Sequence, residues 1–392
     1  MKFSIPLYLN MKNFTCLILV VALIGCAKDK NTEQSISINY KFEITDSIRV
    51  NELEELTLID IEDGMFLAKK EGLSTYIIFD KTGNITSHIE LKTDGPNAIN
   101  MSYSAGFFDG KFTIMDLHRG LIQFSSDGEI INNFPIPEDY TYMHPYNRPA
   151  FKLGNKLAYY RPERDLKDWE DQEKFYRKYY DEPILEVIDP ITKEVELKME
   201  IPENSIYKDG NFHFLHHPKI IKKDKLWYLF LMAEMKFYVY EEKDEDLIFK
   251  ESVSLNVKDQ IPFPQVSLQN TDELFSKLEM VVQSMIEQLY VLEDKIVLIY
   301  KKGARENIVQ NYDRDNQAEW MDFFESLPKY AAVFDSDYKL LQDDIELPSG
   351  TISTPIVNKD GQIFIHKNQR LLGEEDWNTY YSLKLNDANK TN

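Results

Sequence analysis

Short apolar runs alternate with tight polar turns along most of the chain, and one unit recurs. Tyr76-Ile77-Ile78-Phe79-Asp80-Lys81-Thr82-Gly83-Asn84-Ile85 is echoed by Leu121-Ile122-Gln123-Phe124-Ser125-Ser126-Asp127-Gly128-Glu129-Ile130. An Asp or Ser opens each turn by bonding backbone N–H groups further on, and glycine supplies the positive φ that a short hairpin loop needs. Weaker echoes begin at Leu185, Phe237, Ala331 and Tyr380, which makes six units. Upstream of each lies another apolar strand, over residues 64–69, 111–116, 156–160, 225–231, 295–300 and 362–366. Four short strands per unit, at roughly 40–50 residues each, is the spacing of β-propeller blades.

The longer steps between units predict insertions. Residues 161–181 carry Leu166, Trp169, Tyr176 and Tyr180 at near-helical spacing among charges, the pattern of an amphipathic helix. Thr271 can cap a helix over residues 271–280 with Asp272 and Glu273 in its first turn, and residues 316–327, rich in Trp320, Phe323 and Phe324, predict another. Between those two, residues 284–292 and 295–301 supply one strand pair, so six blades are expected rather than seven. The last unit, residues 352–385, shows three strands, while residues 38–48 alternate as a spare strand. Pairing the two would close the ring and hide both edges. The expected fold is therefore an all-β six-bladed β-propeller over residues 38–388, with short helical insertions and an N-terminal strand joining the last blade.

The amino end follows a different pattern. Residues 11–26 have a basic start, an apolar run and then Leu23-Ile24-Gly25-Cys26. That run is shorter than the roughly 20 residues a membrane-spanning helix needs and reads as a secretory signal. The ten residues before Met11 fit no signal pattern, which makes Met11 the expected start. Leu23 to Cys26 resembles the lipobox of bacterial lipoproteins; the resemblance implies cleavage before Cys26 and acylation of its thiol. Residues 1–25 are then the signal and residues 26–37 a lipidated tether, with the membrane as partner through Cys26. An ordinary signal peptide with an incidental cysteine, or a buried apolar helix, is the competing reading. Cys16, the other cysteine, lies in the signal, so the mature chain has no internal disulfide and its stability rests on the core.

Charge removes some partners. The formal charge of -21 becomes -23 without residues 1–25, which hold Lys2 and Lys12 and no acid. Such a surface repels nucleic acid and anionic lipid. At 43% hydrophobic and 13% aromatic residues, the chain has ample material for a large core.

The lipobox, the Asp94-Gly95-Pro96-Asn97 turn opening the second blade, and the closing pattern also resemble a known family. In that closing pattern Gly361-Gln362-Ile363-Phe364-Ile365 precedes Glu374, Glu375, Asp376 and a Tyr380-Tyr381 strand. Together they resemble the uncharacterised Bacteroidetes lipoproteins of the domain of unknown function 4221 type, six-bladed propellers of the TolB-like superfamily. The resemblance covers the mature chain and implies no catalytic residue and no cofactor. Ala27 after Cys26 implies, by the same likeness, the outer membrane rather than retention in the inner one.

Signatures of common catalysts are missing: there is no nucleophile elbow, zinc helix or phosphate loop. His213-Phe214-Leu215-His216-His217 is the densest histidine cluster, but on a strand His216 points away from His213 and His217, so a converged metal site needs a turn. No metal is expected. In propellers the loops from one blade's outer strand to the next blade's inner strand ring the channel, and here they carry Tyr142, His144 and Arg148, then His213, His216 and His217. These groups suit a sugar or peptide ligand; they suit ordinary loop packing as well. The leading expectation is a non-catalytic envelope propeller that binds a glycan, a peptide or an envelope protein. Its rivals are a lactonase-like hydrolase with a metal at the channel and a structural subunit of an outer-membrane complex.

Overall fold

The computed structural model describes residues 39–72, 74–95, 98–99, 102–116, 118–137, 148–164 and 170–389. Residues 1–38, with Cys26, lie outside the described residues, as do Tyr142 and His144.

Six four-stranded antiparallel sheets follow one another around a ring. From inner to outer strand, blade 1 is Leu56–Glu62, Met65–Lys70, Thr75–Asp80 and Ile85–Glu90; blade 2 is Ser102–Phe108, Lys111–Asp116, Gly120–Phe124 and Ile130–Phe134. Blade 3 is Phe151–Leu153, Lys156–Tyr160, Leu185–Ile188 and Val195–Lys198; blade 4 is Lys219–Lys223, Leu226–Phe230, Lys236–Lys243 and Asp246–Ser254. Blade 5 is Met285–Val291, Lys295–Lys301, Lys329–Asp335 and Leu340–Glu346. Blade 6 takes Thr351–Val357, Ile363–Lys367 and Asn378–Asp387 from the carboxyl end and Tyr40–Val50 from the amino end.

The middle strands read as unbroken apolar runs because both of their faces are buried between neighbouring blades. Where blade 6 meets blade 1, Phe66 stacks on Phe79 at 5.2 Å and meets Phe364 edge-on at 5.0 Å. The turns follow the sequence logic. Asp80 Oδ1 accepts from the Thr82 and Asn84 N–H groups at 2.8 and 3.1 Å, and Asp335 does the same for Asp337 and Lys339 at 3.0 and 2.8 Å. Gly83 has φ +87°, and a Cβ there would sit 2.0 Å from the Arg49 carbonyl oxygen, so only glycine lets this turn pack on the closing strand.

Ring closure is as expected. Tyr40–Val50 pairs antiparallel with Asn378–Asp387, with one bulge between Ile44 and Asp46. Asn378, fully buried, strengthens the joint: its Nδ2 donates to the Glu52 and Glu54 carbonyls at 2.9 Å each, and its Oδ1 accepts from Leu56 N–H at 3.0 Å. Tyr380 donates to the Leu56 carbonyl at 2.7 Å. Blade 6 thus holds both polar groups of the residue that starts blade 1. At the other end of the closing strand, Tyr40 N–H donates to Gln342 Oε1 of blade 5 at 2.6 Å. The amino end therefore joins the outer rim between blades 5 and 6.

The insertions are helical, with later starts than the sequence suggests. α1 (Gln172–Asp181) is capped by Asp171 and buries Phe175, Tyr176, Tyr179 and Tyr180. α2 (Asp272–Met280) begins after Thr271, whose side chain makes no capping bond and instead meets Gln172 at 2.5 Å. Two further helices, α3 (Glu306–Val309) and α4 (Gln317–Ser326), lie within blade 5, the second capped by Asn316. α5 (Gln369–Leu372) precedes the last strand of blade 6, and Arg370 on it pairs with Asp322 of α4 at 2.7 Å. No helix among the described residues is long and apolar enough to cross a membrane.

Candidate functional site

Inner strands of a propeller line its central channel, and here they enclose a cavity of about 550 Å³. Blades 1, 2, 4, 5 and 6 contribute through Thr57, Ser102, Ser104, Lys219, Gln288 and Ser353. The remaining lining comes from where inner strands begin and second strands end, such as Glu55, Lys69 and His366. The cavity therefore lies toward the face where each outer strand hands over to the next inner strand, which is where the sequence placed a ligand.

A run of lysines marks the blade 4 side. Blade 4's inner strand is Lys-Ile-Ile-Lys-Lys, and its lysines reach sideways to the neighbouring inner strands. Lys222 donates to the Lys152 carbonyl of blade 3, Lys219 to the Glu287 carbonyl of blade 5 at 2.9 Å, and Lys223 to the Leu292 carbonyl at 2.7 Å. The Glu287 carboxylate is held by Lys301 at 3.0 Å and by the Ser353 hydroxyl at 3.0 Å. Lys301 is itself buried under Phe324 of α4, with its Nζ 4.0 Å from the ring centroid. Lys329 donates to the Thr351 carbonyl. Burial pushes the Lys219 and Lys329 ammonium groups below the ordinary lysine range, with the Glu287 charge opposing the shift in each case.

Across the mouth, burial and the nearby Glu71 carboxyl raise Glu55 above the ordinary carboxylate range. His366 lies 3.9 Å from Glu55; burial pushes its imidazole down to about 4, so it is neutral at pH 7.

Arg148 is placed against blade 1, not at this mouth. Its guanidinium pairs at 2.8 Å with Asp60, which is buried and also accepts from Phe107 N–H of blade 2 at 2.9 Å. Gly106 makes room for that bridge, since a Cβ there would come within 2.9 Å of Pro149 and 3.1 Å of Asp60 Oδ2. The cluster at residues 213–217 does turn, with Phe214 and His217 at positive φ, yet the histidines separate. His213 is fully buried and meets Asp209 at 3.0 Å, while His216 stacks on Tyr179 of α1 at 4.3 Å and meets its hydroxyl at 3.2 Å. His217 is half-buried, and burial lowers its pKa. None of the three appears in the lining of the channel cavity, and no group of His, Cys, Asp and Glu among the described residues is arranged to hold a metal.

Lys219, Glu287, Lys301 and Ser353 were not singled out from the sequence. The signal was present in Lys219, where a strand otherwise expected to face a core opens and closes on lysine.

No protein-family model matches the chain, and no curated protein matches it in sequence. In structure it is similar to a member of the DUF4221 family from Bacteroides vulgatus, with a TM-score of 0.61 and 13% identity over 90% of this chain and 100% of that one. A protein from Bacteroides fragilis described as a candidate exported protein is similar over 91% of this chain and 97% of its own, with a TM-score of 0.51 and 12% identity. At these identities the likeness establishes the six-bladed fold.

Proposed function

We propose that the chain is an exported lipoprotein of the cell envelope, anchored through Cys26, that binds a small ligand or the end of a larger one in its channel. The observation that carries the binding reading is the cavity. Its volume falls within the roughly 300–1,000 Å³ of small-molecule sites, and its wall mixes apolar surface with a few hydroxyls and a half-buried cation. Supporting the anchor are the lipobox-like end of the apolar segment, the candidate exported protein among the structural neighbours, and the lack of any membrane-spanning helix among the described residues. Anchoring by acyl chains needs no such helix, because each buried methylene contributes about 0.8 kcal/mol.

Two variants test the two halves of the proposal. Cys26→Ser is expected to move the protein from the membrane fraction to the soluble fraction and to abolish palmitate labelling; unchanged partitioning would remove the anchor. Thr57→Trp, which fills the cavity from an exposed lining position, is expected to abolish binding on glycan and peptide arrays. Identical array profiles for the variant and the wild type would remove the channel from the account.

A further inference from the structure

We propose that the channel cavity is an anion site in which the Lys219 ammonium is the counter-ion, and that its ligand is a sugar bearing a carboxylate. The inference rests on the channel-binding reading above and narrows it to a ligand class.

Lys219 lines the cavity and is half-buried, yet it forms no ion pair within 4.0 Å among the described residues. Among the described residues its Nζ donates one hydrogen bond, to the Glu287 carbonyl at 2.9 Å, and lies over the face of Phe230 at 5.7 Å. An ammonium has three N–H donors, so two remain for a ligand. Glu287, whose charge acts on it, is shared: its carboxylate is already paired with Lys301 and accepts from the Ser353 hydroxyl. With Lys329 half-buried nearby and also without an ion pair among the described residues, Lys219, Lys301 and Lys329 outnumber the Glu287 and Glu325 carboxylates that act on them. Enclosed charges are normally paired, and an unpaired one facing a cavity is a binding group held in readiness.

The rest of the lining selects among anions. Hydroxyls of Thr57, Ser102 and Ser104 match a polyhydroxylated ligand, while Ile352 and Pro355 offer apolar surface to a sugar ring. Glu55 and Glu71 at the mouth repel a multiply charged group such as phosphate more strongly than a single carboxylate.

The test uses the full chain with glucuronate as probe and glucose, acetate and inorganic phosphate as comparators. It reads calorimetric binding together with site-resolved reductive methylation of Lys219. Glucuronate and acetate are expected to slow Lys219 labelling while glucose does not, and Lys219→Met is expected to weaken glucuronate by about tenfold or more. Lys219→Arg, which keeps the charge, is expected to retain most of the affinity. Equal binding of glucose and glucuronate, unaltered affinity in Lys219→Met, protection by no carboxylate, or phosphate binding tighter than glucuronate would each overturn the proposal. The broader reading fails differently: protection by glucuronate that persists in Thr57→Trp would place the anion outside the channel. Loss of array binding in that variant without any carboxylate effect would leave the channel standing and remove the anion.

Discussion

Replacing Asn378 with leucine keeps the branching and heavy-atom count of the side chain but removes the three hydrogen bonds by which blade 6 holds blade 1. The Leu56 N–H lies in a buried setting and has no water to turn to, which costs about 1–3 kcal/mol. The Glu52 and Glu54 carbonyls are nearer solvent, so each loses roughly 0.5–1 kcal/mol. The sum is about 3 kcal/mol, a large part of the roughly 5–15 kcal/mol of a typical fold. Tyr380→Phe removes one bond to the Leu56 carbonyl and is expected to cost about 1–2 kcal/mol. Because both side chains bind the same residue, the double variant should be less destabilised than the sum of the singles, by about 0.5 kcal/mol or more. Equilibrium urea unfolding followed by tryptophan fluorescence reads all three variants. A loss below about 0.5 kcal/mol in Asn378→Leu, or strict additivity in the double variant, would show that the closure does not depend on this contact.

Two other outcomes follow from the channel wall. Arg148→Met is expected to lower stability by about 1–2 kcal/mol, since it strands the buried Asp60 carboxylate while the partly exposed guanidinium is screened by solvent. Gly106→Ala should cost about 1–3 kcal/mol by crowding Pro149 and the same carboxylate; an unchanged urea midpoint in both would leave Arg148 free to serve a ligand. His366 has a folded pKa of about 4 against 6.5 for the free group, so its contribution is complete above pH 6.5 and is lost as pH falls toward 4. Up to ~3 kcal/mol separates those limits, and His366→Phe is expected to flatten that part of the stability profile relative to wild type; parallel profiles would refute the assignment.

The architecture was legible because hairpin turns and buried strands are written in local chemistry. Asp80 and Gly83 specify a turn wherever they fall, and the apolar run at residues 295–301 needs burial on both faces. Helix starts were less legible: Asp171 and Asn316 cap as their residue types allow, but Thr271 was drawn off by a glutamine 99 residues away. The site was the least legible part. Arg148 and the histidines have the residue types of a binding loop, yet Asp209 takes one ring nitrogen of His213 from four residues away, while Asp60 and Tyr179 engage Arg148 and His216 from elsewhere in the fold. No local pattern announces such distant partners. Lys219 matters for the opposite reason, since the neighbouring acid that could have neutralised it is engaged by Lys301, a fact that appears only when three blades are assembled.

The composite sixth blade also governs timing. Thr45 and its partner Ser382 lie 337 positions apart, so the first described strand to leave the ribosome cannot be paired until nearly the last one follows. The entropy of closing so long a loop adds little at equilibrium, about 0.6 kcal/mol per doubling of length, but such distant pairing is slow to find. Through most of its synthesis the chain therefore carries that strand unpaired. For that interval its vulnerability to mispairing, and its need of a protecting partner, are set by the rate of delivery and not by the stability of the finished ring.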